Sequence, residues 1–317
     1  MPTSPARLPG TVDGSQPGFL DAQAAAFFGA QGYLIVENAF SSEEIEQINQ
    51  ESNRICRGEL GTFSGWQGPH DGQTDLEVFA QYLCIHFPHK ISPLIHRHLA
   101  HPAMVETLTG VIGPDIKCMQ SMLFIKASGK PGQAWHQDED YIPTRDRSLT
   151  GGWIALDDAT VDNGCLWIIP GSHKSGVLWP QAQQADQRFD CAQESTGFPY
   201  TDADAVPVEV KAGSIVFFNG YLLHRSLPNR APEGSFRRVL VNHYMSASSL
   251  LPWTQNLQEH DCFLDEGGGV SKADSRDIVM VAGKDPYAWM GLQDTHRPHV
   301  RPSGEGGCVQ SAKPTKP

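Results

Sequence analysis

The sequence predicts an α+β protein, mainly β, in which helices come first and a strand-rich core follows. Three observations predict it. From about residue 115 to 247 the apolar runs are short, β-rich and separated by turns. Before residue 115 the apolar residues recur at helical spacing. Asn163-Gly164 and Gly171-Ser172 are strong turn signals between closely spaced strands, which points to a sandwich or barrel rather than alternating β-α units.

Taken in order, residues 1 to about 18 are rich in Pro, Gly, Ser and Thr and read as a loose arm. The stretch LDAQAAAFFGAQGY reads as a short helix, and GYLIVENAF as a strand entering a turn. Ser41 and Glu44 have capping-box spacing, and Ile45, Ile48, Ser52 and Ile55 follow on one helical face. A Gly-rich loop runs from Gly58 to Gly72. Residues 75–110 read as mostly helical, with Pro88 and Pro93 as interruptions. The strands expected beyond are KCMQSMLFIKA, WIALDDAT, CLWIIPG, PVEVKAGSIVFFNG and RRVLVNHYMSA. We read one domain over 1–317: a helical part (19–114), a β core (115–247), an irregular part (248–300) and a disordered tail (301–317).

Composition narrows the function. With 317 residues and 39% apolar content, a sizeable core is available. The 24 basic against 36 acidic residues give a net charge of −12, which argues against nucleic acid or an anionic membrane as partner. The seven cysteines are odd in number and form no C-x-x-C, so reduced, buried thiols are expected. The N-terminus lacks a signal-peptide apolar region, and no stretch approaches membrane-helix length. A cytoplasmic protein acting on a small molecule is the expectation; oligomeric state is left open.

The chemistry centres on His136-Gln137-Asp138, near the end of an expected strand, with His224 lying 88 residues later. Residues i and i+2 of a strand share a side, so His136 and Asp138 can share one metal while His224 comes from another strand. Two imidazoles and one carboxylate on one face leave coordination positions open, the arrangement of oxygen-activating non-haem iron(II) enzymes. Taken alone, His-x-Asp is weak, because the chain has thirteen histidines. An Arg one strand beyond His224 suits the carboxylate of a keto acid, and Ser226 can add a hydroxyl.

The strings WHQDEDYIPT, LTGGWIALDDATVDNGCLWIIPGSHKSG and HRSLPN…RRVLVNHY together resemble the phytanoyl-CoA dioxygenase family, most strongly from about 115 to 247. The resemblance implies a double-stranded β-helix, a cupin-like jelly roll. It implies iron(II) on His136, Asp138 and His224, with 2-oxoglutarate and dioxygen as co-substrates. It also implies that Met122, Trp153, Ser226 and Arg237 line the 2-oxoglutarate site. The loop RAPEGS leaves Arg237 and Arg238 both in play; parity with Val239 and Val241 favours Arg237. The implied activity is hydroxylation of a C–H bond with release of succinate and CO2. Asp138 favours that outcome over halogenation, which uses a small residue there. Two other classes stand beside it: a non-catalytic cupin-like metal- or ligand-binding protein, and a zinc hydrolase or isomerase on the same ligands.

Tyr141, Arg145 and Arg147, just past the iron motif, are the expected substrate contacts, although Arg145 and Arg147 fit structural ion pairs equally well. The Gly58–Gly72 loop and the 180–204 insertion are further specificity candidates. Phe63 and Trp66 in that loop suit either the mouth or packing on the helices. His86, His89, His96, His98 and His101 read as surface or core-edge residues. His243 reads as a satisfied core or rim histidine, His173 as part of a turn, and Trp135 and Trp167 as core aromatics. Glu139 and Asp140 fit either solvent or the rim of the site.

Overall fold

The computed structural model describes residues 7–190, 193–251 and 274–301. Two sheets face each other. The larger has the order Thr11–Asp13, Tyr33–Glu37, Ile215–Asn219, Thr150–Ala155, Phe236–Ser246, Ile116–Ala127, Cys84–His86, His299–Val300, and Val279–Ala282 also pairs with Ile116–Ala127. The smaller runs Val206–Val208, Leu166–Ile168, His224–Ser226, Gln133–His136. Strand alternation sets the layers. In Phe236–Ser246, Val239 and Val241 point into the cluster between the sheets, while Leu240 and Tyr244 point to the helix-covered face. Both faces of the larger sheet are covered, so its strands read as almost unbroken apolar runs.

The helices form where their caps dictate. Asp21 accepts from the Ala24 N–H at 2.7 Å to start Ala22–Gln31, and Gly32 closes it at φ 79°. Ser41 and Glu44 form the expected capping box of Ser42–Cys56, whose Ile45, Ile48 and Ile55 pack on the larger sheet. Pro93 and Pro102 stand at the first positions of Pro93–His98 and Pro102–Val111, where a missing N–H costs nothing. Pro93, expected as an interruption, is therefore a helix start, and Pro88 likewise opens the single 3-10 turn Pro88–Lys90.

Three segments depart from the sequence reading. Thr11–Asp13, inside the expected loose arm, pairs in parallel with Tyr33–Glu37. Cys84–His86, inside the expected helical stretch, is a strand on Ile116–Ala127. In the part read as irregular, Val279–Ala282 and His299–Val300 extend the larger sheet. Each is five residues or fewer, too short for periodicity to declare itself, and each is fixed by an edge it joins. The tail expected to be disordered lies, apart from Arg301, outside the described residues. No helix among the described residues is long and apolar enough to cross a membrane.

Candidate metal centre and anion pocket

His136 ends Gln133–His136 and pairs directly with His224, the first residue of His224–Ser226. The two rings lie 4.1 Å apart between centroids. Asp138 is not on a strand, contrary to the i, i+2 reading. It opens the one-turn helix Asp138–Tyr141, which swings its carboxylate back over both rings. Oδ1 lies 3.7 Å from His136 Nε2 and 3.6 Å from His224 Nε2. One donor atom from each residue falls within 4.8 Å of the others, and this is the one such group found among the described residues.

Backbone hydrogen bonds set the ring orientations. His136 Nδ1 lies 2.8 Å from the Ala134 carbonyl and His224 Nδ1 2.9 Å from the Leu222 carbonyl. A carbonyl only accepts, so Nδ1 carries the proton and the Nε2 lone pair is left free for a metal on the side where Asp138 lies. Burial, helped by the neighbouring His224, pushes the His136 imidazole down to about 4, which keeps it neutral. Burial alone would raise the Asp138 carboxyl. The neighbouring imidazoles of His224 and His243, a hydrogen bond from His243 and the His136 ring outweigh it and hold the group well below the usual carboxylate range. The donor set of two imidazole nitrogens and one carboxylate oxygen fits a divalent first-row metal.

His243 is more than a satisfied core histidine. Its Nε2 lies 3.0 Å from Asp138 Oδ2, the oxygen turned away from the other two rings, and the residue is buried. A β-bulge lies next to it on the neighbouring strand: His243 pairs with Gln120 and Tyr244 with Cys118, so Met119 is the extra residue. Below the rings, Phe218 lies 4.7 Å from His224. Gly151 makes room for it, since a Cβ there would fall 2.5 Å from the Phe218 ring.

Near this centre, two buried cations lie between the sheets. Arg237 is 3% exposed and projects between the sheets, 5.5 Å from the Trp153 ring. Its Nε is buried without a hydrogen-bond partner, and it has no ion pair among the described residues. Burial pushes it down to about 10. Arg238 projects the other way and forms a two-pronged pair with Asp157, Nε to Oδ2 2.8 Å and Nη2 to Oδ1 2.6 Å. Parity therefore separates the two arginines. Met122 and Trp153 both pair with Val241 on the same inner face, and Ser226 is buried across the gap. Lys126, which the sequence reading did not single out, is paired opposite Arg237 and donates to Ser226. It is buried in the inward register with Met122 and Phe124, a parity the sequence carried.

The remaining candidates divide. Tyr141 stands 6.2 Å from His136, ring to ring. Arg145 is exposed, with its N–H on Ser249 Oγ at 3.1 Å. Arg147 lies 5.3 Å over the Tyr221 ring, against Gly176. Glu139 is buried, takes the Thr144 N–H and hydroxyl at 2.5 Å each, and is raised to about 7 by burial. Trp66 donates to the Cys56 carbonyl at 2.9 Å and packs with Phe63 on the helical layer. In the 180–204 insertion Phe198 and Tyr200 join Trp135 and Trp167 on the outer face of the smaller sheet, and Asp190 is buried and pairs with Arg301. His89 is buried against Ser121, and His173 faces the Gly29 carbonyl.

The sequence model of the phytanoyl-CoA dioxygenase family matches residues 28–239. This chain belongs to that family. A phytanoyl-CoA dioxygenase of Arabidopsis thaliana is 29% identical over 245 residues, which cover 67% of this chain and 84% of the relative. Among solved structures, the non-haem monooxygenase ThoJ in its apo form superposes with a TM-score of 0.60 at 20% identity, covering 89% of this chain and 88% of its own. The epimerase SnoN of nogalamycin biosynthesis, in a complex with Fe3+, α-ketoglutarate and nogalamycin RO, gives 0.53 at 18% identity over 72% of this chain and 84% of that one. These two likenesses support the jelly-roll architecture of the paired sheets.

Proposed function

We propose that this protein is an iron(II)- and 2-oxoglutarate-dependent dioxygenase that hydroxylates a C–H bond of a small molecule, releasing succinate and CO2. One observation carries the reading: a two-histidine, one-carboxylate donor set lies beside a buried arginine with no anionic partner among the described residues. A zinc hydrolase would use the first feature and leave Arg237 a buried charge with no purpose.

His136, Asp138 and His224 would hold the metal, and the bound iron supplies activation of dioxygen and the oxidising power. The protein's own groups do the positioning. The Nδ1 contacts to Ala134 and Leu222 keep both Nε2 atoms aimed inward. Arg237 receives the far carboxylate of 2-oxoglutarate as a two-pronged pair, and Ser226 donates its hydroxyl to the same group. Met122, Trp153 and Val241 wall the pocket and keep water from it. Tyr141 faces the prime substrate beside His136, with Arg145 at the rim. Arg147 is left out of this set, because Tyr221 already accounts for its position.

The test is anaerobic addition of 2-oxoglutarate to the iron(II)-loaded protein. The reading expects a visible charge-transfer band that saturates at one equivalent. Stoichiometric metal uptake with no response to 2-oxoglutarate would overturn it. A metabolite panel scored by succinate release under iron(II), ascorbate and air then identifies the prime substrate.

A further inference from the structure

Lys126 and Arg237 are directly paired across neighbouring antiparallel strands. Directly opposed residues point to the same side, here the space between the sheets. Both are 3% exposed, and neither has an ion-pair partner among the described residues. Two cations opposed in a dry pocket repel each other, and burial together with the facing guanidinium pushes the Lys126 ammonium well below its usual value. A carboxylate between them would relieve both.

The hydrogen bonds of Lys126 say how it would act. Nζ donates to the Leu227 carbonyl at 2.7 Å, to Ser226 Oγ at 2.9 Å and to the Gly164 carbonyl at 3.3 Å. Gly164 sits at φ 82°, and a Cβ there would lie 2.4 Å from the Leu227 carbonyl oxygen and 3.1 Å from Lys126 Nζ, so the glycine leaves room for both. Ser226 Oγ also accepts the Gln133 N–H at 3.2 Å. A hydroxyl has two acceptor lone pairs and one proton. With both lone pairs taken, the Ser226 proton is turned away from Lys126 and Gln133, and no acceptor holds it among the described residues.

We propose that Lys126 is a positioning residue for the co-substrate: it fixes the Ser226 hydroxyl as a donor and, with Arg237, makes a two-cation pocket that selects 2-oxo diacids over 2-oxo monoacids. This rests on the dioxygenase reading above. The probes are 2-oxoglutarate and 2-oxovalerate, the latter lacking the far carboxylate. Each is titrated anaerobically into the iron(II)-loaded protein and followed by its visible band. Lys126→Met weakens 2-oxoglutarate binding about 10- to 100-fold, as expected for a lost charge-assisted contact, and leaves 2-oxovalerate within about twofold. Lys126→Arg restores part of the loss. Lys126→Met/Ser226→Ala loses less than the product of the two single losses, because part of the Lys126 effect runs through the Ser226 hydroxyl.

A merely structural lysine would weaken both acids alike; that result, unchanged 2-oxoglutarate binding, or strictly additive losses overturn the proposal while the functional reading stands. Iron stoichiometry reports folding, and Lys126→Gln replaces the Met variant if that chain does not take up iron. If the unaltered protein binds neither acid, the functional reading fails and this proposal fails with it.

Discussion

Arg237→Ala should weaken 2-oxoglutarate far more than Arg238→Ala, although the two are adjacent. Arg237 is 3% exposed and unpaired among the described residues, so its desolvation is already incurred before any ligand arrives. Truncating one partner of a desolvated, hydrogen-bonded charge pair costs about 2–5 kcal/mol, or about 30- to 5,000-fold in the apparent constant. Arg238 faces the helical layer, held by Asp157 at 2.6 Å and lying over Phe79. Its loss should leave 2-oxoglutarate within about twofold and instead cost stability on the order of 1 kcal/mol, the scale of a partly exposed pair. The assay is succinate formation against 2-oxoglutarate concentration, with urea unfolding run in parallel. The opposite ranking, with Arg238→Ala the weaker binder and Arg237→Ala near normal, would refute the assignment of strand parity and the pocket built on it.

Three further outcomes are expected. His243→Leu strips Asp138 Oδ2 of its partner and should lower iron(II) affinity about 10- to 100-fold by equilibrium dialysis, with His243→Gln recovering part of it; equal affinity in all three proteins would remove His243 from the site. Tyr141→Ala and Arg145→Ala should impair substrate-coupled turnover while slow uncoupled succinate release and the 2-oxoglutarate KM persist, and full coupled activity in both would move specificity elsewhere. Burial pushes His89 down to about 3, so between that value and the unfolded value of about 6.5 the unfolded chain binds the extra proton. Stability of the metal-free protein should therefore fall as pH drops below about 6.5, by about 2 kcal/mol from this group at pH 5; a His89→Phe variant with an undiminished slope in urea titrations would assign the effect to other groups.

Much of this was legible because it is local. The Ser41–Glu44 box and the Asn163-Gly164 turn are written in three or four residues, and the structure forms the cap of the one and a φ of 82° at the other. Alternation along Phe236–Ser246 separated Arg237 from Arg238. The same parity, carried six residues further, puts His243 on the inner face, and applied to Ile116–Ala127 it puts Lys126 there. Parity alone does not mark either residue as functional, because a polar residue in a strand is ordinarily solvated or a satisfied core group. Other features were not readable. Asp138 reaches the two histidines by a helical turn, which His-x-Asp spacing does not distinguish from a strand. The Met119 bulge depends on the partner strand, and the short strands at 84–86, 279–282 and 299–300 exist only because an edge is there to receive them.

The central claim is that His136, Asp138 and His224 hold an iron that consumes dioxygen and 2-oxoglutarate together. The most direct measurement follows CO2 released from 2-oxoglutarate labelled at C1, with iron content and oxygen uptake measured on the same samples. The account predicts one iron per chain, equal amounts of CO2 and succinate, dependence on oxygen, and loss of both iron and turnover in His136→Ala/His224→Ala. Undiminished iron binding in that double variant, or CO2 release that continues without oxygen, would contradict it.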